Sequence, residues 1–510
     1  MAIDWGVFPL VLILTVTPAV AERDDPLSAI DWLSNSVDAP PLEAPVVNGP
    51  SANLPDEIQV APLDAAVPDQ LGTKDAAALG VPVAIWGKST VGDLVQDLAA
   101  LELGRDAPPS IRTFLTDLLQ ARLDPPIDAG IDDRFFLARI DTLLALGHLE
   151  SAENLLGQTS RIDPRYFRRS FDIALLTGEE TTACQVIDKT PELSPTYPAR
   201  IFCLARLAQF DVAALTLGNA ETLGILTPDE DALLRIFLDP ELFEDEPVPA
   251  APRVPTPLEY RLFEAVGERI PTDQLPVAFA TADLSETVGW KTRLRAAERL
   301  AATGAMTFDD LLVVYNERSP AASGGVWDRV RSIRALEETL RRNADAQLQS
   351  ELGETWRLVA DMGYQSAFAD WIAPKLDGKA LTGSGAAVAF EIALFAKRPD
   401  LASQFAKETE QDRFLLDMVN GVSRPAPPGD AFASAILRGL SSIEAGGGYA
   451  PLLKEARTGE VVLRALAALA EGASGNPETT VQALTALRQI GLNDLARQIA
   501  VELILIEGAA

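Results

Sequence analysis

The chain holds a single histidine, His148, and two cysteines, Cys184 and Cys203. That inventory excludes a metal site built from several His or Cys ligands and leaves one base for any nucleophilic triad. His148 follows Gly147 in a predicted turn, beside Glu150 and Ser151. A triad nucleophile needs a sharp, supported elbow, whereas Ser151 and Ser160 fall on ordinary helix surface, so His148 reads as an exposed turn residue. Ile85-Trp86-Gly87-Lys88-Ser89-Thr90 ends like a phosphate-binding loop, but that loop needs a glycine where Pro82 stands. Gly383-Ser384-Gly385 opens a Gly-x-Gly fingerprint, yet Val388 takes the third glycine's place and no strand precedes it. Asp229-Glu230-Asp231 reads as charge at a helix N-terminus, not as a calcium loop. No cofactor is expected. Paired carboxylates acting on a glycan stay open, because 74 acidic residues offer many pairs.

The acids outnumber 43 basic residues and give a net charge of −31. Such a chain is repelled by phosphate backbones and anionic lipid, so it is not expected to bind nucleic acid. One helix departs from this background. Val326 to Arg342 carries Arg329, Arg331, Arg334, Arg341 and Arg342, which would form a basic patch for an acidic partner or simply solvate the helix, with Asp328, Glu337 and Glu338 offsetting them in part.

From Thr90 onward nearly every segment has helical period, as in Arg134 to Leu146, where Phe135, Leu137, Ile140, Leu143 and Leu144 share one face. Alternating strand patterns are almost absent, so the fold is expected to be all-α. Gly147, Ala152 and Pro164 are followed 31 residues later by Gly178, Ala183 and Pro195, and a blurred third copy has Ala208, Phe210, Ala213 and Leu217. In a helical hairpin the glycine closes the first helix, the alanine lets two helices cross closely, and the proline marks the next unit.

On these residues the chain resembles the tetratricopeptide repeat family: Gly147 to Pro164 has the turn glycine, Leu149, Ala152, Leu156 and terminal proline of a second half-repeat. The likeness covers about 90 residues well, with a period of 31 where the family has 34. Later hairpins keep fragments only: Gly363-Tyr364 with Ala367, Trp371 and Pro374, and Gly491 with Ala496 and Ala500. The resemblance implies an α-solenoid of antiparallel hairpins that binds proteins or peptides. Cys184 follows the crossing Ala183, Cys203 lies late in the next helix, and the Pro191 to Pro198 turn falls midway between them. Antiparallel helices would then bring both to one level, where they form a disulfide in an oxidising compartment or remain as two buried thiols.

Residues 1–21 combine the apolar run Val7 to Val16 with Ala19-Val20-Ala21, as a cleavable signal peptide does, although Asp4 stands where a basic residue is usual. Arg outnumbers Lys 34 to 9, which suits a GC-rich bacterium, so the expected location is the periplasm of a Gram-negative cell. No segment is long enough to span a membrane. Residues 22–89 are rich in Pro, Ala and Asp and are expected to form a disordered leader. Two apolar islands, around Trp32 and around Trp86, either dock a partner or fold back onto the protein. Residues 90–238 then form tetratricopeptide-like repeats, 239–257 an acidic proline-rich linker, and 258–510 a second helical solenoid. The expected role is a non-enzymatic scaffold binding a protein or peptide. A glycan-acting envelope enzyme is the alternative. A stress-protective or antifreeze-like protein ranks third, since the tandem Ala-Ala-Thr repeats of antifreeze glycopeptides are missing.

Overall fold

The computed structural model describes residues 67–509, apart from 105–106, 131–132, 408 and 473–474. The expected signal peptide, the leader up to residue 66 and Trp32 lie outside the described residues. Among the described residues nine α-helices come first: α1 (Val91–Ala99), α2 (Pro109–Gln120), α3 (Arg134–Ala145), α4 (Leu149–Leu156), α5 (Pro164–Thr177), α6 (Glu180–Lys189), α7 (Tyr197–Arg206), α8 (Phe210–Thr222) and α9 (Pro228–Leu238). Seven follow the proline-rich connector: α10 (Pro257–Ala265), α11 (Trp290–Thr303), α12 (Phe308–Asn316), α13 (Val326–Arg342), α14 (Asp345–Ala360), α15 (Gln365–Leu376) and α16 (Gly383–Phe395). The last seven are α17 (Pro399–Phe405), α18 (Glu410–Val419), α19 (Ala431–Ser441), α20 (Tyr449–Lys454), α21 (Thr458–Ala470), α22 (Pro477–Gln489) and α23 (Asn493–Ala509). Among the described residues the only β-structure is a two-residue parallel pairing of Lys74–Asp75 with Ala121–Arg122. The chain is all-α, as its periodicity requires.

Three hairpins, α3–α4, α5–α6 and α7–α8, realise the repeat, with a spacing of 31 residues from the first to the second and 30 to the third. Gly147 and Gly178 end their first helices at φ of 83° and 82°, and Ala208 takes the same left-handed position in the third at 60°. Ala152, Ala183 and Ala213 are all buried. Pro164 opens α5 at its first position, where a missing N–H costs no hydrogen bond. The Gly363 and Gly491 turns likewise join α14 to α15 and α22 to α23, both with left-handed glycines. Pro374 is held inside the last turn of α15 and does not end it.

The first helices pack on the last. α1 lies against α21, and α2 against α23. The Lys88 N–H donates to Ala456 O (2.8 Å), the Gly459 N–H to Trp86 O (3.2 Å) and the Thr458 hydroxyl to Ile85 O (2.6 Å). A Cβ on Gly459 would stand 2.7 Å from the Leu94 side chain and 3.1 Å from the Trp86 ring, so only glycine permits this approach. At the start of α2, the buried Glu502 carboxylate accepts from the Ser110 N–H (2.9 Å) and hydroxyl (2.7 Å).

Two expected boundaries are corrected. Residues 67–89 are not leader: they form 3-10 turns that bury Ala76, Val81, Ile85 and Trp86. Arg139 on α3 holds the start of this segment by donating to Asp69 O (3.0 Å) and Leu71 O (2.8 Å), and it also bonds Leu119 O and Ala121 O. Nor does the 239–257 connector separate two cores. Leu233 and Leu234 before it share one core with Leu258, Leu262 and Phe263 after it, and α10 packs back on α5. Pro249 to Val254 form one wall of a cavity of about 580 Å³ over these apolar residues.

Candidate functional site

The polar residues of α2 line an extended recess. Ile111, Leu115, Leu118 and Leu119 are buried in the core, which turns Pro109, Thr113, Thr116 and Gln120 toward the recess at helical spacing, Thr113 exposed and Thr116 and Gln120 largely buried. Two cavities lie along that face. One, of about 430 Å³, is bounded by Lys74, the lower half of α2, the His148–Ser151 turn and Thr303 to Met306. The other, of about 360 Å³, runs between the upper half of α2, Ala301 to Asp309 and the first turns of α15. Thr113, Thr303, Gly304 and Met306 line both, so the two are halves of one groove. The eleven steps of α2 from Pro109 to Gln120 give it a length of about 17 Å.

The lower half is lined by hydroxyls. Thr113, Thr116, Thr177, Thr281 and Thr303 meet Lys74, Asp117 and His148 there. Lys74 and Asp117 form an ion pair. His148 precedes α4 and is partly buried, which corrects its reading as an exposed turn residue. Its Nε2 lies 3.2 Å from Thr303 O and 3.4 Å from Thr116 Oγ1. Burial pushes the imidazole pKa down, against the Thr303 contact, so the ring is neutral at neutral pH. Nε2 thus bridges two walls of the groove and is not held by a serine nucleophile.

The upper half is more aromatic, with Phe308, Tyr364 and Trp371 beside Asp309, Asp370 and Arg112. Burial raises the Asp370 pKa, with Lys397 opposing the rise. Lys375 Nζ sits 4.2 Å from the centroid of the Trp371 ring, a cation–π contact that fixes the indole.

Apart from the turn at His148, the residues singled out from sequence do not gather in this groove. Cys184 on α6 and Cys203 on α7 are joined by a disulfide with Cα atoms 4.8 Å apart, across the Pro191–Pro198 turn as the spacing requires. Trp86 is only 1% exposed and packs edge-on against Phe135 at 5.0 Å, so it is a core residue of the seam and is not open to a partner. The Gly87-Lys88-Ser89 loop is part of the same seam. A Cβ at Gly87 would lie 2.2 Å from Ala456 O, which leaves no space for a phosphate.

The five arginines of α13 divide. Arg329 turns inward and bonds the fully buried Glu298 through Nε and a terminal nitrogen, both at 2.6 Å. Burial opposes its charge, but the hydrogen bonds and charge of Glu298 hold its pKa above the ordinary range. The Tyr315 hydroxyl also donates to Glu298 (2.6 Å) and meets the Tyr364 hydroxyl at 3.0 Å. Arg331 pairs with Asp328, while Arg341 and Arg342 both pair with Glu338. Arg334 donates to Arg318 O (3.0 Å). Arg329 therefore belongs to the core, Arg331 is paired within the helix, Arg341 and Arg342 share one carboxylate, and Arg334 meets a backbone carbonyl.

Sequence reasoning missed the groove. The polar spacing of α2 is visible in the sequence, but its opposite wall lies nearly 200 residues away, and nothing marks Asp309 and Asp370 among the other acids. No protein-family model matches the chain, and no curated protein and no solved structure matches it. Among the described residues no helix is long and apolar enough to cross a membrane.

Proposed function

We propose that the protein is a non-enzymatic scaffold whose groove along α2 holds an extended segment of a protein partner. The observation that carries this reading is the continuity of the two cavities through Thr113 and Thr303 to Met306. A groove of about 17 Å accommodates some five residues of extended chain at ~3.3 Å each. Its wall hydroxyls, the Lys74–Asp117 pair and the acids at the far end supply donors and acceptors for a peptide backbone and a basic side chain. Hairpin stacks of this kind commonly present such surfaces, and we read the 133–222 hairpins as degenerate tetratricopeptide-type repeats. The disulfide suits an oxidising compartment, in keeping with export to the periplasm after removal of residues 1–21.

The test is a photoreactive amino acid at Thr113 of the full chain, compared with one at the exposed Ile443, followed by crosslinking in the periplasm. An adduct formed from position 113 and not from position 443 supports the scaffold. Equal adducts at both, or none, overturn it.

One observation favours the enzymatic alternative: Asp309 and Asp370 line a single cavity, and burial favours the protonated form of Asp370, as a general acid requires. On that reading the chain hydrolyses glycan strands of the cell envelope and Asp370→Asn abolishes turnover. Unchanged glycan after incubation with the native chain eliminates it.

A further inference from the structure

Helix α8 ends the first run of hairpins. It packs chiefly on α7 and α9, and the chain then turns back through α10 onto α5. Its inner side buries Ala213, Leu217 and Ala220. On the side away from that core, Val212, Leu215, Asn219, Thr222 and Leu223 share an arc of about 100° at helical spacing. Leu215 and Leu223 are each 67% exposed and Val212 47%, while Phe210 and Ile225 stand exposed just beyond. The end of a helical stack ordinarily carries a polar outer face. Here the stripe has no charged residue, although the chain carries −31 overall.

We infer that this face is a dimer interface, and that its occupant is α8 of a second copy of the same chain. The stripe is self-complementary. Leu215 and Leu223 each lie four residues from Asn219, so an antiparallel two-fold through Asn219 sets Leu215 against Leu223 of the second copy and lets the two amides meet. A buried asparagine pair is a known device for fixing helix register. The open position at Gly218, flanking the stripe, where a Cβ would meet nothing within 4 Å, allows close approach. Among the flanking acids, Glu221 is already paired with Arg235 at 2.8 Å. The second copy continues the helix-on-helix packing that joins α7 to α8 inside each chain.

The exposed apolar side chains offer on the order of 400 Å² per copy, below the ~800 Å² per partner of a standard interface. The dimer is therefore weak and reversible. Repulsion between two strongly acidic copies opposes it, so salt strengthens it, the reverse of association driven by opposite charges.

Sedimentation velocity of the full chain tests this, at about 1 and 100 µM and in about 0.05 and 0.5 M sodium chloride. The native chain is expected to shift toward a dimer at the higher concentration, more strongly in high salt. Leu215→Glu, at a solvent-exposed site, is expected to weaken association at least tenfold with an unchanged circular dichroism spectrum. Asn219→Cys is expected to form an intermolecular disulfide under mild oxidation much faster than Ile443→Cys. A native chain that stays monomeric throughout, a Leu215→Glu chain that dimerises as well as native, or equal crosslinking at positions 219 and 443 overturns the interface.

Discussion

Residues 133–222 and the seam between the two ends of the described chain are built by opposite means. In the hairpins, each helix meets its sequence neighbour, the turns fall at Gly147, Gly178 and Ala208, and small residues mark the crossings. In the seam, partners lie hundreds of residues apart: Trp86 with Gly459, Asp93 with Arg457, Asp97 with Arg464 and Ser110 with Glu502. The hairpins depend on apolar periodicity and glycine geometry. The seam depends on long-range polar ties, buried at Ser110–Glu502 and more open at Asp93–Arg457 and Asp97–Arg464. The two should therefore respond differently to substitution.

The largest loss is expected where the first hairpin meets the N-terminal segment. Arg139 is fully buried and donates to four backbone carbonyls, and burial lowers its pKa to about 10, with Asp69 opposing. The guanidinium stays charged at neutral pH. Arg139→Met keeps the volume but strands those carbonyls, at a cost of about 3–5 kcal/mol. Urea unfolding measures the loss. If the variant unfolds within about 1 kcal/mol of native, the polar ties do not hold this region.

That contrast also explains what the sequence could show. The 31-residue spacing exposes the hairpins because each turn and crossing is local, and it sets Cys184 and Cys203 at one level before any coordinates exist. The seam has no local signature. Gly459 resembles any other glycine until Trp86 and Leu94 are seen against it, and Glu502 is one acid among many until Ser110 approaches it. The groove fails for the same reason, since α2 supplies one wall and the Thr303–Asp309 segment the other. Residues 67–89 misled because proline and alanine suggest a solvated leader, whereas Ile85 and Trp86 are buried by helices contributed from the far end of the chain.

Within the hairpins, the disulfide is expected to have the next largest effect. It closes a loop with a sequence separation of 19 residues between α6 and α7. Cys184→Ser should cost about 3 kcal/mol, largely by freeing the unfolded chain. Reduction of the native protein should cost a similar amount while leaving the 67–89 segment protected in amide exchange. Loss of that protection would show that the hairpins and the seam unfold as one unit.

A pH series separates the two regions further. Burial raises the Glu502 pKa, against the hydrogen bonds from Gln498 and Ser110. The folded state therefore holds this proton more tightly than the unfolded chain. Its contribution is complete below the ordinary glutamate range and is lost as pH rises through the raised folded value. Glu502→Gln keeps an acceptor for Ser110 and removes the titration. Its urea midpoint should gain on the native one between pH 4.5 and 7.5, and a difference independent of pH would mean that the seam does not sense this proton.

The smallest effect is a gain, and it tests the repeat itself. Gly147 and Gly178 occupy the left-handed turn position without strain, whereas Ala208 holds φ of 60° with a Cβ present. For a residue other than glycine that conformation costs roughly 1 kcal/mol, through crowding of the Cβ and the neighbouring carbonyl. Glycine removes the crowding but loses more entropy on folding, so the two terms partly cancel. Ala208→Gly should therefore raise stability by about 0.5 kcal/mol, while Gly178→Ala, whose Cβ would meet only Arg261 Nη2 at 3.9 Å, should lower it by about the same amount. Opposite signs at equivalent turns are what a degenerate repeat requires, since the backbone geometry persists where the residue that best suits it has been lost. If both substitutions destabilise equally, the third hairpin has its own local reason for alanine and the equivalence of the three turns fails.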